Sequence, residues 1–118
     1  MILGVPPRPG LRIMLAAQPV DFRKGMDSLA ALVAQALAAD PFVGDIFVFR
    51  SKRSDRLKIL VWDGTGLCLI TKRLESGAFT WPEVKDGAVT LNPAQLGLLF
   101  SGMDWTQIGI RPLDSANT

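Results

Sequence analysis

Three short apolar runs constrain the fold of this chain more than any other feature of its sequence. They are rich in β-branched and aromatic residues, a composition typical of strands, and clusters of turn-forming residues separate them. The runs are Ile46 to Arg50, Leu57 to Trp62 and Leu67 to Arg73. Their spacing predicts a three-stranded antiparallel meander over residues 46–73.

The connection Asp63-Gly64-Thr65-Gly66 sets the register between the second and third runs. It suits a two-residue turn on Gly64-Thr65 or a four-residue loop, and both place Trp62 opposite Leu67. Counting back from the turn predicts four more pairs: Leu60 with Leu69, Ile59 with Ile70, Lys58 with Thr71, and Arg56 with Arg73.

The same register divides the side chains between two sheet faces, because they alternate along a strand. One face is apolar and is the predicted core; it carries Phe47, Phe49, Leu57, Ile59, Val61, Cys68 and Ile70. The other face has a basic end, with Arg50, Arg56, Lys58, Thr71 and Arg73. Its apolar end carries Leu60, Trp62, Leu67 and Leu69.

Basic charge is concentrated in this region. Residues 50–73 hold seven basic and two acidic side chains, a net charge of +5, whereas the whole chain carries +2 and the remainder therefore −3. Like charges opposite each other destabilise a sheet, so an anionic partner would explain the cluster. The candidate nucleic-acid-binding residues are Arg23, Lys24, Arg50, Lys52, Arg53, Arg56, Lys58, Lys72 and Arg73. Trp62 and Trp81 are candidates for base stacking or partner contact.

The rest of the chain predicts two helices, over residues 27–39 and 93–101. Asp27 is a suitable N-cap for the first, and Asn92-Pro93 followed by Gly102 brackets the second. Further strands are predicted at the edge (11–16), as a fourth strand (78–81) and as a short extended segment (89–91). Because the helices do not alternate with strands in βαβ order, the fold class is predicted to be α+β with a mostly antiparallel sheet.

Length and composition predict one domain over residues 11–105, between a flexible N-terminal arm (1–10) and a C-terminal tail (106–118). The chain has 118 residues, of which 48% are hydrophobic and 20% charged, as in folded soluble proteins. No apolar run reaches the roughly 18 residues needed to cross a bilayer, and there is no signal-peptide pattern. The single cysteine, Cys68, excludes an internal disulfide and fits a cytoplasmic protein.

Catalytic and metal chemistry lack their usual residues. There is no histidine to act as a base or ligand and no second cysteine, so neither a catalytic site, a zinc site nor a cofactor is predicted. The Gly64-Thr65-Gly66 segment lacks the spacing of a phosphate-binding loop. Three interpretations of the meander stay open: a nucleic-acid-binding face, a basic surface for protein docking, and an apolar patch that a helix or another chain must cover.

Seven blocks of the sequence, taken together, resemble a known family. They are Val20 to Leu32, Asp40 to Phe42, Phe47 to Arg50, Asp55 to Lys58, Trp62 to Gly66, Lys72 to Glu75 and Phe79 to Pro82. In order and spacing they are similar to the small accessory proteins encoded by the second open reading frame of insertion sequence 66 elements, the group called TnpB or Orf2-like. The similarity covers about residues 11–105.

That resemblance implies a bacterial accessory protein for transposition, encoded beside a transposase that carries the strand-transfer carboxylates. The transposase and sister accessory proteins are the implied partners, DNA is the partner expected from the basic face of the meander, and no catalytic residues carry over. The matching positions include most of the basic candidates and the turn Trp62-Asp63-Gly64. Two positions depart from the family pattern: Asp45 stands where histidine is usual, and Phe22 where methionine is usual.

Overall fold

The computed structural model describes residues 10–83 and 86–106, which form a five-stranded sheet with one helix packed on each face. The predicted arm and tail lie almost entirely outside these residues. The elements, in chain order, are β1 (Ile13–Ala16), α1 (Met26–Ala36), β2 (Ile46–Arg50), β3 (Arg56–Trp62), β4 (Leu67–Arg73), β5 (Ala88–Leu91) and α2 (Pro93–Phe100).

The strand order is β4-β3-β2-β1-β5, and three of the four pairings are antiparallel. The α+β class is therefore confirmed. One connection differs from prediction: β1 and β2 are parallel, and α1 makes the crossover between them. As a result β1 is an interior strand rather than an edge. Residues 78–81 form no strand, and β5 provides the fifth strand instead.

The predicted register of the β3–β4 hairpin is confirmed at every position. Trp62 lies opposite Leu67 and Arg56 opposite Arg73. A four-residue loop closes the hairpin: the Asp63 amide donates to the Gly66 carbonyl at 3.0 Å, and the Asp63 carboxylate accepts from the Thr65 and Gly66 amides at 2.9 Å. These backbone donors, that of Thr65 first, lower the pKa of Asp63.

The predicted division of the faces is wrong for β2. Phe47 pairs with Leu60 and Phe49 with Lys58, so both phenylalanines lie on the α1 side of the sheet, and Arg50 lies on the α2 side. The reason is that Ile46 to Phe49 is apolar throughout and buried on both faces. A strand of this kind shows no alternation from which its orientation could be deduced.

Each helix covers one face of the sheet. The α1 side is filled by Leu29, Ala30 and Val33, which cover Leu60 and the partly buried Leu67 and Leu69. The α1 helix begins at Met26 after Gly25, so Asp27 lies in its first turn and is not the cap.

The α2 helix begins as predicted. Asn92 and Gln95 form a capping box in which each side chain accepts from the other residue's amide at 2.8 Å. Leu96 and Leu99 then pack on the opposite sheet face, with Leu57, Ile59 and Val61 of β3.

Candidate nucleic-acid interface

Cations collect where β3 begins and β4 ends. Arg56 and Arg73 occupy directly opposed positions on the α1 side of the sheet, where opposed residues have Cβ atoms about 5 Å apart. Arg73 is exposed, and the Arg56 side chain is 34% exposed. Two like charges are thus held side by side at the surface, an arrangement that costs stability.

Lys58 holds a second basic segment beside this pair. Its side chain is buried and donates from Nζ to the carbonyls of Phe22 at 2.7 Å and Lys24 at 2.9 Å. The same ammonium group lies 4.7 Å from the centre of the Phe22 ring. Lys58 therefore anchors the loop before α1, and it is not available to a ligand. The loop presents Arg23 and Lys24, both exposed.

Asp21 partly neutralises the positive charge of Arg23. The two side chains are exposed and joined by several hydrogen bonds, the shortest 2.6 Å from Arg23 Nη2 to Asp21 Oδ2. The side-chain and backbone hydrogen bonds from Arg23 hold the pKa of Asp21 well below its usual range. Lys24 makes no side-chain hydrogen bond or ion pair with a described residue. Its positive charge is therefore less neutralised than that of Arg23.

The turn between β2 and β3 adds Lys52 and Arg53, both exposed. Hydrogen bonds tie the turn to its surroundings: the Ser51 amide donates to the Arg56 carbonyl at 3.2 Å, and the Phe79 amide to the Ser54 carbonyl at 2.8 Å. A hollow of about 370 Å³ separates Ser51 and Lys52 from residues 19–22. We call Arg23, Lys24, Lys52, Arg53, Arg56 and Arg73 the basic surface.

Polar groups under the basic surface are poorly satisfied. Arg56 Nε and Asp55 Oδ1 are buried and lie 3.7 Å apart, too far for a hydrogen bond. Arg50 Nε and Ser51 Oγ are also buried without a hydrogen-bond partner. Buried polar groups are paired in most native structures, so these four atoms are an exception at this end of the sheet.

Two predicted site residues lie on the other face of the sheet. Lys72 donates from Nζ to the carbonyl of Phe100 and lies 4.2 Å from the centre of that ring, so it binds the end of α2. Arg50 donates to Ser54 Oγ at 3.2 Å and lies 5.6 Å from the centre of the Trp81 ring. Both cations have structural partners, and neither belongs to the basic surface.

The two candidate stacking residues are also engaged. Trp81 is half-buried and donates from Nε1 to the Ala16 carbonyl at 3.0 Å. Trp62 lies at the far end of β3, where its ring meets that of Phe42 edge to face with centroids 6.0 Å apart. Neither ring lies on the basic surface.

The Trp62 end contains residues that sequence reasoning did not select. Phe42 is 54% exposed and Val43 46% exposed; with Trp62 we call them the apolar end. Beside them a groove of about 470 Å³ is lined by alanines of α1 and by Asp27, Ala39, Asp40, Pro41 and Phe42. The first helix was predicted to end at residue 39 and ends at Ala36. Either end places Phe42 in a loop, but no pattern indicated that its ring is exposed.

Asp45, one of the two departures from the family pattern, has a structural partner. It is buried, and its carboxylate accepts from the Arg12 amide at 3.1 Å and from Arg12 Nε at 3.0 Å. This pair lies at the same end of the sheet as Trp62, since Ile13, Ile46 and Val61 are neighbours across the strands.

Metal and membrane features were also sought in the part of the chain that the structure describes. No cluster of three His, Cys, Asp or Glu side chains there could hold a metal ion. None of its helices is long and apolar enough to cross a membrane.

Cys68 is partly buried against the α2-side core, and burial, followed by its hydrogen bond to Asp63, raises the pKa of its thiol.

Comparison with known proteins identifies the family. The model of the IS66 Orf2-like protein family matches residues 11–109. Protein y4jC of Sinorhizobium fredii is 58% identical over 107 residues, which cover 91% of this chain and 92% of that protein. Protein y4hO of the same organism is 43% identical over 101 residues, or 86% and 88% of the two chains. Both are described as uncharacterized proteins, and no solved structure matches significantly. The chain belongs to the IS66 Orf2-like family, which implies an accessory role in transposition.

Proposed function

We propose that this protein is a non-enzymatic accessory factor that binds DNA through the basic surface during transposition. The observation that carries the proposal is the Arg56–Arg73 pair. Like charges placed directly opposite each other on a sheet lower its stability. Phosphate groups would neutralise those charges, which gives the arrangement a purpose.

The surrounding charges support the same proposal. Lys24, Lys52, Arg53 and Arg73 are exposed and form no ion pair with a described residue. Asp21 neutralises part of Arg23, and Asp55 lies next to Arg56. Each phosphate that these side chains neutralise contributes about 0.9 to the slope of log affinity against log salt concentration on duplex DNA.

The test is DNA binding by fluorescence anisotropy over a range of salt concentrations. The variant is Arg53→Gln/Arg73→Gln, which removes two exposed cations without disturbing a hydrogen bond. We expect weaker binding to every duplex and a slope smaller by about 2.

The matched control is Ala94→Glu/Gly97→Glu, which changes the net charge equally. Both positions are exposed on α2, across the sheet from the basic surface, and a Cβ at Gly97 meets nothing within 4 Å. We expect its salt slope to equal that of the parent. An unchanged slope in the arginine variant, or an equal loss in the control, would contradict the assignment to this surface.

The second candidate function is that of an adaptor that docks on the transposase or on a sister accessory protein. The exposed side chains of Phe42 and Val43 at the apolar end favour it. Leu60, which sequence reasoning placed in an apolar docking patch, is fully buried beneath α1 and cannot contact a partner. The candidate docking residues are therefore Phe42 and Val43.

Co-purification with the element's transposase tests the adaptor function. We expect Phe42→Asp to abolish co-purification if the apolar end docks on that protein, while DNA affinity stays near that of the parent. The Arg53→Gln/Arg73→Gln variant should show the opposite pattern. Co-purification that survives Phe42→Asp would exclude the apolar end as the docking site.

A further inference from the structure

We infer that the nucleic acid bound at the basic surface is duplex, held by its phosphates and without stacking of bases on the protein. This inference rests on the proposed function and names its substrate class. It follows from the positions of all the aromatic rings. Proteins that bind single strands combine a basic groove with aromatic side chains on which successive bases stack.

Every aromatic residue of the chain lies among the described residues, so the set is complete. The sequence has six phenylalanines, three tryptophans, and no tyrosine or histidine. Four of the nine rings are buried in the two cores: Phe47, Phe49, Phe79 and Trp105. None of these four can reach a base.

Three of the remaining rings each have a cation of the protein itself against them. They are Phe22 with Lys58, Phe100 with Lys72 and Trp81 with Arg50. Phe22 is the ring nearest the basic surface. It is partly buried against the α1-side core, and the Lys58 ammonium lies 4.7 Å from its centre. The Lys58 ammonium therefore occupies one face of this ring.

The last two rings, Phe42 and Trp62, meet at the end of β3 opposite Arg56. Trp62 ends β3 and Arg56 begins it. Six steps of about 3.3 Å along a strand place them about 20 Å apart. A base held beside Arg56 is therefore out of reach of the Trp62 ring.

Without an aromatic ring beside the cations, attraction to the phosphates dominates binding, and it favours the duplex. Duplex DNA carries one negative charge per about 1.7 Å of its axis, about twice the density of one of its strands. A surface of fixed cations supported by strands and short turns meets more phosphates on a duplex of equal length. Without stacking, a single strand gains nothing that offsets this difference.

The experiment compares a 20-base-pair duplex with each of its strands at equal salt, using the full chain. We expect the duplex to bind at least tenfold more tightly than either strand. Binding to a single strand that equals or exceeds duplex binding would overturn this inference while leaving the proposed DNA binding intact. No binding to any of the three would reject the proposed function itself, and the inference with it.

Two variants separate phosphate contact from stacking. Arg53→Lys/Arg73→Lys keeps both charges but removes the planar group that can stack on a base or bind it bidentately. We expect its duplex affinity to stay within about threefold of the parent's, and a tenfold loss would overturn the inference.

Phe22→Leu keeps an apolar side chain beside Lys58, and should change affinity for either nucleic acid by less than twofold. A selective loss of single-strand binding in that variant would show that the ring stacks.

Discussion

The two ends of β3 lie on the same strand and the same sheet face, yet they differ in how fully their cations are paired with carboxylates. At the Trp62 end, Arg12 is matched by the buried carboxylate of Asp45. At the Arg56 end, Arg56 Nε lies 3.7 Å from the Asp55 carboxylate, the residue opposite Arg56 is Arg73, and the flanking turn and loop add four more cations. The difference shows that this sheet can pair a cation with a buried carboxylate. At the basic surface most of the cations have no such partner, as expected of a surface that meets an external anion.

The largest expected effect separates the middle of β3 from the apolar end. Leu60→Asp would bury an unpaired carboxylate under α1 and should lower the free energy of unfolding by about 4 kcal/mol or more. The control Phe42→Asp changes a side chain that is 54% exposed. We expect its free energy of unfolding in urea to stay within about 0.5 kcal/mol of the parent's. Equal losses in the two variants would mean that Phe42 is part of the folded core.

The next effect distinguishes the two kinds of lysine at the basic end. Lys58→Met should cost about 1–3 kcal/mol, because the carbonyls of Phe22 and Lys24 lose their buried donor. It should also speed amide exchange in the loop that carries Lys24. Lys52→Met removes an exposed lysine and should change stability by less than about 0.5 kcal/mol. If Lys58→Met leaves both stability and exchange unchanged, Lys58 does not anchor the loop.

A charge reversal tests whether Arg73 is held at a cost to the fold. Arg73→Glu places a carboxylate opposite Arg56, and should raise the free energy of unfolding by up to about 1 kcal/mol. The same change should weaken DNA binding. Arg53→Glu lies outside the strand ladder, so we expect it to weaken DNA binding without the gain in stability. A loss of stability on Arg73→Glu would remove the Arg56–Arg73 pair as evidence for function.

The smallest effect concerns the two cations of the loop. Folding lowers the pKa of Asp21 through the hydrogen bonds from Arg23. The carboxylate's contribution is therefore present above the unfolded value of about 3.9, and it is lost as the pH falls towards the lower folded value. In Arg23→Ala, the Asp21 titration followed by NMR should move back up towards the unfolded value.

Because Arg23 is already paired, Arg23→Ala should flatten the salt slope of DNA binding less than Lys24→Ala. The reverse order would show that the ion pair opens on binding.

The parts of the fold that could be predicted depend on contacts close in sequence. The β3–β4 register follows from one tight loop, and the start of α2 follows from Asn92-Pro93 and its capping box. The interior position of β1 could not be deduced, because β1 pairs with β2 beyond a helix and with β5 near the other end of the domain. Short strands of similar composition do not specify such distant partners.

The candidate site was predictable as a region but not in its detail. The excess of basic residues between 50 and 73 indicated the end of the sheet where the exposed cations lie. Sequence could not separate Lys58 and Lys72, which bind backbone carbonyls far along the chain, from Lys52 and Arg53, which face solvent. A lysine has the same charge in either place, and only its tertiary partner distinguishes them.

The pairing of β1 with β5 has a consequence for the order in which the molecule assembles. The β2–β3–β4 meander closes short loops, which form quickly, whereas Ile13 must meet Leu91 across almost the whole domain. We expect the meander to form first and the β1–β5 ladder to close last. During synthesis on the ribosome, the Arg56–Arg73 pair would then exist before the sheet is complete, and a polyanion near the nascent chain could bind it and stabilise the early hairpin.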